Sequence, residues 1–132
     1  MHLQIATRQV ADAVIAAPVG RIDHRSAAEF EAALAPLLEV AAAGRSALVL
    51  DFSGVDYISS VGLRVLMIAA KKMRERDAPF LVAALQSVVA EIFAISRFDR
   101  ILRVTATLDE AIALCSPAAL AQQRNAGSPA AP

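Results

Sequence analysis

Side chains that could act on a substrate are sparse in this chain: two histidines, His2 and His24, one cysteine, Cys115, and the adjacent hydroxyls Ser59 and Ser60. His24 follows Asp23, so an imidazole and an orienting carboxylate stand next to each other, and Ser60 would complete a base-assisted nucleophile. Adjacent side chains seldom point at one another, however, and no G-x-S-x-G elbow surrounds Ser60. The chain has no G-x-x-x-x-G-K-[ST], G-x-G-x-x-G, C-x-x-C or H-E-x-x-H, which leaves no phosphate cradle or metal-ligand spacing to build on. No catalytic residue, cofactor or metal is therefore expected. Cys115 cannot form an internal disulfide and reads as a small apolar residue on the last helix. What remains is the stretch Leu48 to Arg76, a strand, a turn-rich Ser53-Gly54 and a long helical pattern with Ser59-Ser60 at its start. A helix N-terminus carries unsatisfied N–H groups and partial positive charge, so Ser60 there is either a cap or a phosphate-accepting switch.

The elements that position this stretch follow from length and patterning. At 132 residues the chain is long enough for one core and too short for two. Thirteen basic and thirteen acidic residues cancel, which argues against bulk attraction to nucleic acid or an anionic membrane. Hydrophobic residues make up 57% of the chain, but no uninterrupted apolar run approaches the roughly 18 to 20 residues of a membrane span. The N-terminus lacks a basic region followed by an apolar one, so the cytoplasm is the expected compartment, and a monomer is the simpler expectation.

Residues 2 to 8 alternate as a strand, and 11 to 19 form a second, with a turn around Gln9 to Asp12. Gly20 to Arg25 reads as a loop ended by Ser26-Ala27-Ala28-Glu29, a capping box that opens a helix with Phe30, Leu34, Leu37 and Leu38 on one side. Pro36 should kink or break that helix, and Gly44 closes it. Ala47 to Phe52 lacks clean alternation, as expected of a strand buried on both faces, although a helix on one face only would also fit. After the central helix come a strand at Phe80 to Leu85, a helix from Ser87 to Ile95, a strand at Ile101 to Val104, and a second capping box, Thr107 to Glu110, opening a helix to about Cys115. The order is ββαβαβαβα, an α/β fold with a mixed sheet. The domain is expected to span 1–116, and the Pro-, Ala- and Gly-rich segment 117–132 to be a disordered tail.

On these elements lie two motifs, GRIDHRSAAEFEAAL and LVLDFSGVDYISSVGLRVL. Together they resemble the bacterial anti-sigma factor antagonist family, the STAS domain proteins, over residues 1 to about 115. Gly20, Ile22, Asp23 and His24 fall on the family's Gly-x-Leu-Asp loop, and Asp51, Phe52, Ser53, Ser60, Gly62, Leu63 and Val65 on its segment at the second helix. The family's aspartate before the phosphoserine is Ser59 here, its second hydroxyl is Val61, and the glycine after Gly62-Leu63 is Arg64. The resemblance implies phosphorylation of Ser60 by a serine kinase that is also the anti-sigma factor. The unphosphorylated protein binds that partner, the phosphorylated one lets go, and a metal-dependent serine phosphatase resets it.

Independently of the family, Ser60, Arg64, Met67 and Lys71 share one helix side, opposite Leu63, Leu66, Ala69, Ala70 and Met73. Met67 between two charges looks like a small docking ridge, and an ordinary exposed methionine is the alternative. The expected partner-binding residues are Asp23, His24, Ser59, Ser60, Val61, Gly62, Arg64, Met67 and Lys71. Two other readings stay open: a non-phosphorylated STAS scaffold subunit of a transporter or stress-sensing complex, and a small nucleotide-binding or hydrolytic α/β protein using Asp23, His24 and Ser60.

Overall fold

Strand β1 (Gln4–Val10) pairs antiparallel with β2 (Ala13–Ile22), in register from Gln4 opposite Val19 to Val10 opposite Ala13. Every later pairing is parallel. β2 lies beside β3 (Ala47–Asp51), β3 beside β5 (Phe80–Ala83) and β5 beside β6 (Arg103–Thr105), giving the order β1-β2-β3-β5-β6. The computed structural model describes residues 3–10, 12–44 and 46–115; His2 and the segment expected as a tail lie outside the described residues.

Because β2, β3, β5 and β6 succeed one another in one direction, right-handed crossovers carry their connecting helices to the same face. Those helices are α1 (Ala27–Ala43), α2 (Ser60–Glu75) and α3 (Ser87–Ser96), and they share a core with Leu48, Leu50 and Phe52. Helix α4 (Leu108–Cys115) covers the other face, where Ala111 and Ile112 pack with Ala47, Val49 and Leu81. Residues 47 to 50 are therefore all buried, alternately toward the two cores, which accounts for the lack of alternation in the sequence. Through the larger core runs a row of edge-on rings, Phe30–Phe52–Phe93–Phe98, with centroids 6.4, 6.5 and 6.1 Å apart.

The structure departs from the sequence expectations at three places. A short strand, β4 (Val55–Ile58), pairs parallel with the end of β2, so Gly20 to Ile22 are strand and not loop. Gly20 makes this possible: its φ of +122° is open to glycine, and the register shifts between it and Arg21. Helix α1 runs unbroken through Pro36. Pro36 and Ala32, whose carbonyl the missing N–H would have met, are both exposed, so water can satisfy that carbonyl. Ser26 makes no side-chain cap to α1; its hydroxyl is used by the preceding loop. The second box behaves closer to expectation: Thr107 Oγ1 accepts from the Glu110 N–H at 3.1 Å, while the Glu110 carboxylate reaches back to the N–H of Ala106 at 3.3 Å.

The start of α2 is pressed onto the ends of β2 and β4. The Ser59 N–H donates to the Ile22 carbonyl at 2.8 Å. A Cβ at position 62 would stand 2.7 Å from Ile22 Cγ2 and 2.8 Å from Ile58 Cγ1, both on fully buried side chains. Gly54 is constrained in the same way beneath, where a Cβ would meet Val19 Cγ2 at 2.9 Å and the Pro18 carbonyl at 3.2 Å.

Gly62→Ala should therefore destabilise the fold by about 1–2 kcal/mol in urea titration, although alanine is the better helix former, because overpacking outweighs propensity. Phe52→Ala, which removes the middle ring contacts of the row, should cost about 3–5 kcal/mol, and Phe98→Ala at the row's end distinctly less. Equal losses at the two positions would show that the row does not act as a connected core.

Candidate partner-binding site

The loop after β2 is held by its own polar groups. Ser26 Oγ accepts from the Asp23 N–H at 3.0 Å and donates to the Arg21 carbonyl at 2.6 Å. Asp23 Oδ1 accepts from the N–H groups of Arg25 and Ser26 at 2.9 and 3.3 Å, and Oδ2 takes the Arg21 Nε–H at 3.0 Å. The Arg25 N–H, with help from Arg21, holds the Asp23 carboxyl below its ordinary value against a smaller opposing effect of burial. Arg21 in turn lies over the Tyr57 ring of β4, 4.0 Å from its centroid. Asp23 thus shapes the loop, and His24 and Arg25 are the residues that the loop displays to solvent.

Among the described residues Asp23 makes no hydrogen bond to the His24 ring, so the base-and-orienter pair is not assembled. The described residues contain no cluster of His, Cys, Asp or Glu that could hold a metal ion. They contain no helix long and apolar enough to cross a membrane.

At the start of α2 the two serines divide the roles left open by the sequence. Ser59 is the N-cap, in extended conformation, and its Oγ accepts from the Gly62 N–H at 3.3 Å. Ser60 is the first helical residue and is exposed, and its hydroxyl makes no hydrogen bond among the described residues. The alternative that Ser60 is the cap is corrected by this geometry. Extended backbone at position 59 aims that side chain at the free N–H groups, whereas the side chain at position 60 leaves the axis outward.

Arg64, Met67 and Lys71 follow Ser60 on the solvent side, and Met67 is 43% exposed. The seated side comprises Gly62, Leu63, Val65, Leu66, Ala69 and Met73, with Ala70 only partly buried. Gly62 is therefore beneath the surface and acts by allowing the close contact. Sequence reasoning missed Ile68, which is 43% exposed and lies with Val61 and Val65 beside α1. The i, i+4, i+7 spacing of these three was visible, but the adjoining stripe of Gly62, Leu66, Ala69 and Met73 is apolar too, so the pattern did not say where the buried face would end.

Comparison with known proteins agrees with this architecture. The family model of the STAS domain matches residues 4–111. BtrV of Bordetella bronchiseptica, a candidate anti-sigma factor antagonist, is 35% identical over 100 residues, covering 76% of this chain and 84% of BtrV. RsfB of Mycobacterium tuberculosis, an anti-sigma-F factor antagonist, is 34% identical over 93 residues, covering 70% of this chain and 73% of RsfB. The crystal structure of an anti-sigma factor antagonist from Mycobacterium paratuberculosis superposes with a TM-score of 0.74 at 24% identity, over 86% of this chain and 93% of that one. Unphosphorylated SpoIIAA gives 0.66 at 15% identity, over 83% and 93%, a likeness of fold. The chain belongs to the STAS domain family.

Proposed function

We propose that this protein is an anti-sigma factor antagonist that binds an anti-sigma factor through the His24 loop and the first turns of α2. Phosphorylation of Ser60 by that partner, a serine kinase, releases it, and a metal-dependent serine phosphatase restores binding. The names of BtrV and RsfB support the antagonist reading. The observation that carries the switch is the exposed, unbonded Ser60 hydroxyl on the first residue of α2. Serine and aspartate cap helices about equally well, so Ser59 in place of the family's aspartate keeps that position's cap.

Phosphorylation adds about −1.5 to −2 charges and three acceptor oxygens. At a helix N-terminus the macrodipole and free N–H groups favour such a charge, and Arg64 stands one turn further on. The modification therefore leaves the fold in place and acts on the interface, where a new charge must be desolvated against a surface that fitted a hydroxyl. A penalty of about 3–4 kcal/mol weakens binding several hundredfold.

Phosphopeptide mass spectrometry of the protein from its native host should find phosphate on Ser60 and lose that signal in Ser60→Ala; absence under every growth condition would leave a constitutive binding module. In calorimetric titration with the anti-sigma factor, Ser60→Asp should weaken binding several hundredfold at an unchanged melting temperature. Ser59→Ala should do the converse, lowering stability by about 0.5–2 kcal/mol through loss of the cap while Ser60 remains phosphorylatable. Unfolding of Ser60→Asp would refute the interface mechanism.

A further inference from the structure

We infer that the groove between α1 and α2 is a second half of the same binding face and takes an amphipathic helix of the partner. This inference rests on the proposed function for the partner's identity, but the groove itself stands on geometry. Beside Ser60, a hollow of about 370 Å³ opens between the two helices, floored by Ala27 and Ala28 of α1 and Val61, Val65 and Ile68 of α2. It continues into a second of about 250 Å³ toward Leu38 and Lys72, and the two share Glu31, Val65 and Ile68. Alanines at positions 27, 28 and 35 of α1 leave the room, so Val61 and Ile68 stay 45% and 43% exposed inside a concavity. From Val61 to Lys72 the groove runs about 16 Å along α2, the length of roughly three helical turns.

Its margins are charged with opposite sign. Arg64 on the α2 side and Glu31 on the α1 side both line the first hollow, and neither forms an ion pair among the described residues. A convex apolar ridge with an acidic residue along one margin and a basic one along the other would match both, whereas a ridge with the wrong sign would place like charges together. An amphipathic helix has this shape and can present an apolar stripe with differently charged flanks. A second copy of this face is a poorer fit, because two concave surfaces leave a void between them. The two ends of the binding face then have separate roles: Ser60 accepts the phosphate, and the groove, reaching about three turns further, supplies apolar contact and orientation.

Two probes applied to the full chain test the inference. The first is the anti-sigma factor whose complex with the chain is lost on Ser60→Asp. Ile68→Glu should weaken that complex at least about thirtyfold, and Glu31→Lys about fivefold to tenfold with a marked salt dependence, both at unchanged melting temperature. Parent-like affinity in both variants while Ser60→Asp still releases the complex would overturn the groove and leave the proposed function standing. The second probe is a stapled amphipathic peptide of about four turns, with leucines along one side, glutamates on one flank and lysines on the other. It should shift the amide resonances of Val61, Val65 and Ile68, and Ile68→Glu should abolish those shifts. If no anti-sigma factor binds the parent chain, the functional reading fails and the peptide alone decides the groove. Shifts confined to other surfaces, no shifts at all, or self-association lost on Ile68→Glu would overturn it.

Discussion

The near-contact between α2 and the ends of β2 and β4 is the constraint from which the rest of the site follows. Gly62 has no side chain, so the helix backbone approaches Ile22 and Ile58 closely enough for the Ser59 N–H to reach the Ile22 carbonyl. That hydrogen bond ties the start of α2 to the end of β2, and the loop carrying His24 begins one residue later. A larger residue at position 62 would lift the helix and separate the start of α2 from the loop that carries His24. Interior packing tolerates little such displacement, because buried side chains have no free volume into which to retreat.

Seating the helix in this way also gives the two serines different surroundings. Ser59 is turned toward the backbone N–H groups and stabilises the helix start, while Ser60 is left with no structural duty. A residue that holds a fold together is a poor switch, since modifying it would cost stability as well as binding. A residue on the solvent side of a positively polarised helix terminus can accept a phosphate with little strain. The same economy holds in the preceding loop, where Asp23 and Ser26 are occupied by backbone groups and Arg21, and His24 is left outward.

Much of this was legible from local patterns. The helical spacing of α1 to α3, the Thr107 cap and the placement of Ser60 at a helix start depend on residues within one or two turns of each other, and propensity, capping and periodicity act over that range. The resemblance to the STAS family added the order of two motifs, and the helix face with Arg64, Met67 and Lys71 exposed could be drawn from spacing alone.

The sequence by itself thus determined which segments are helices, that the sheet is mixed, and that a hydroxyl pair stands at the start of α2. Only the tertiary structure decided which hydroxyl caps and which is free, because that depends on the extended backbone at Ser59 and its bond to Ile22, 37 residues earlier. It also decided that Val55 to Ile58 is a strand, since four residues behind a Ser-Gly turn acquire strand character from pairing with the end of β2. Ser26 was diverted from capping α1 because the Arg21 carbonyl and the Asp23 N–H, brought together by that pairing, compete for its hydroxyl. Ile68 stayed exposed because the small residues of α1 that face it leave a groove, and the distance between two helices is set by both partners at once.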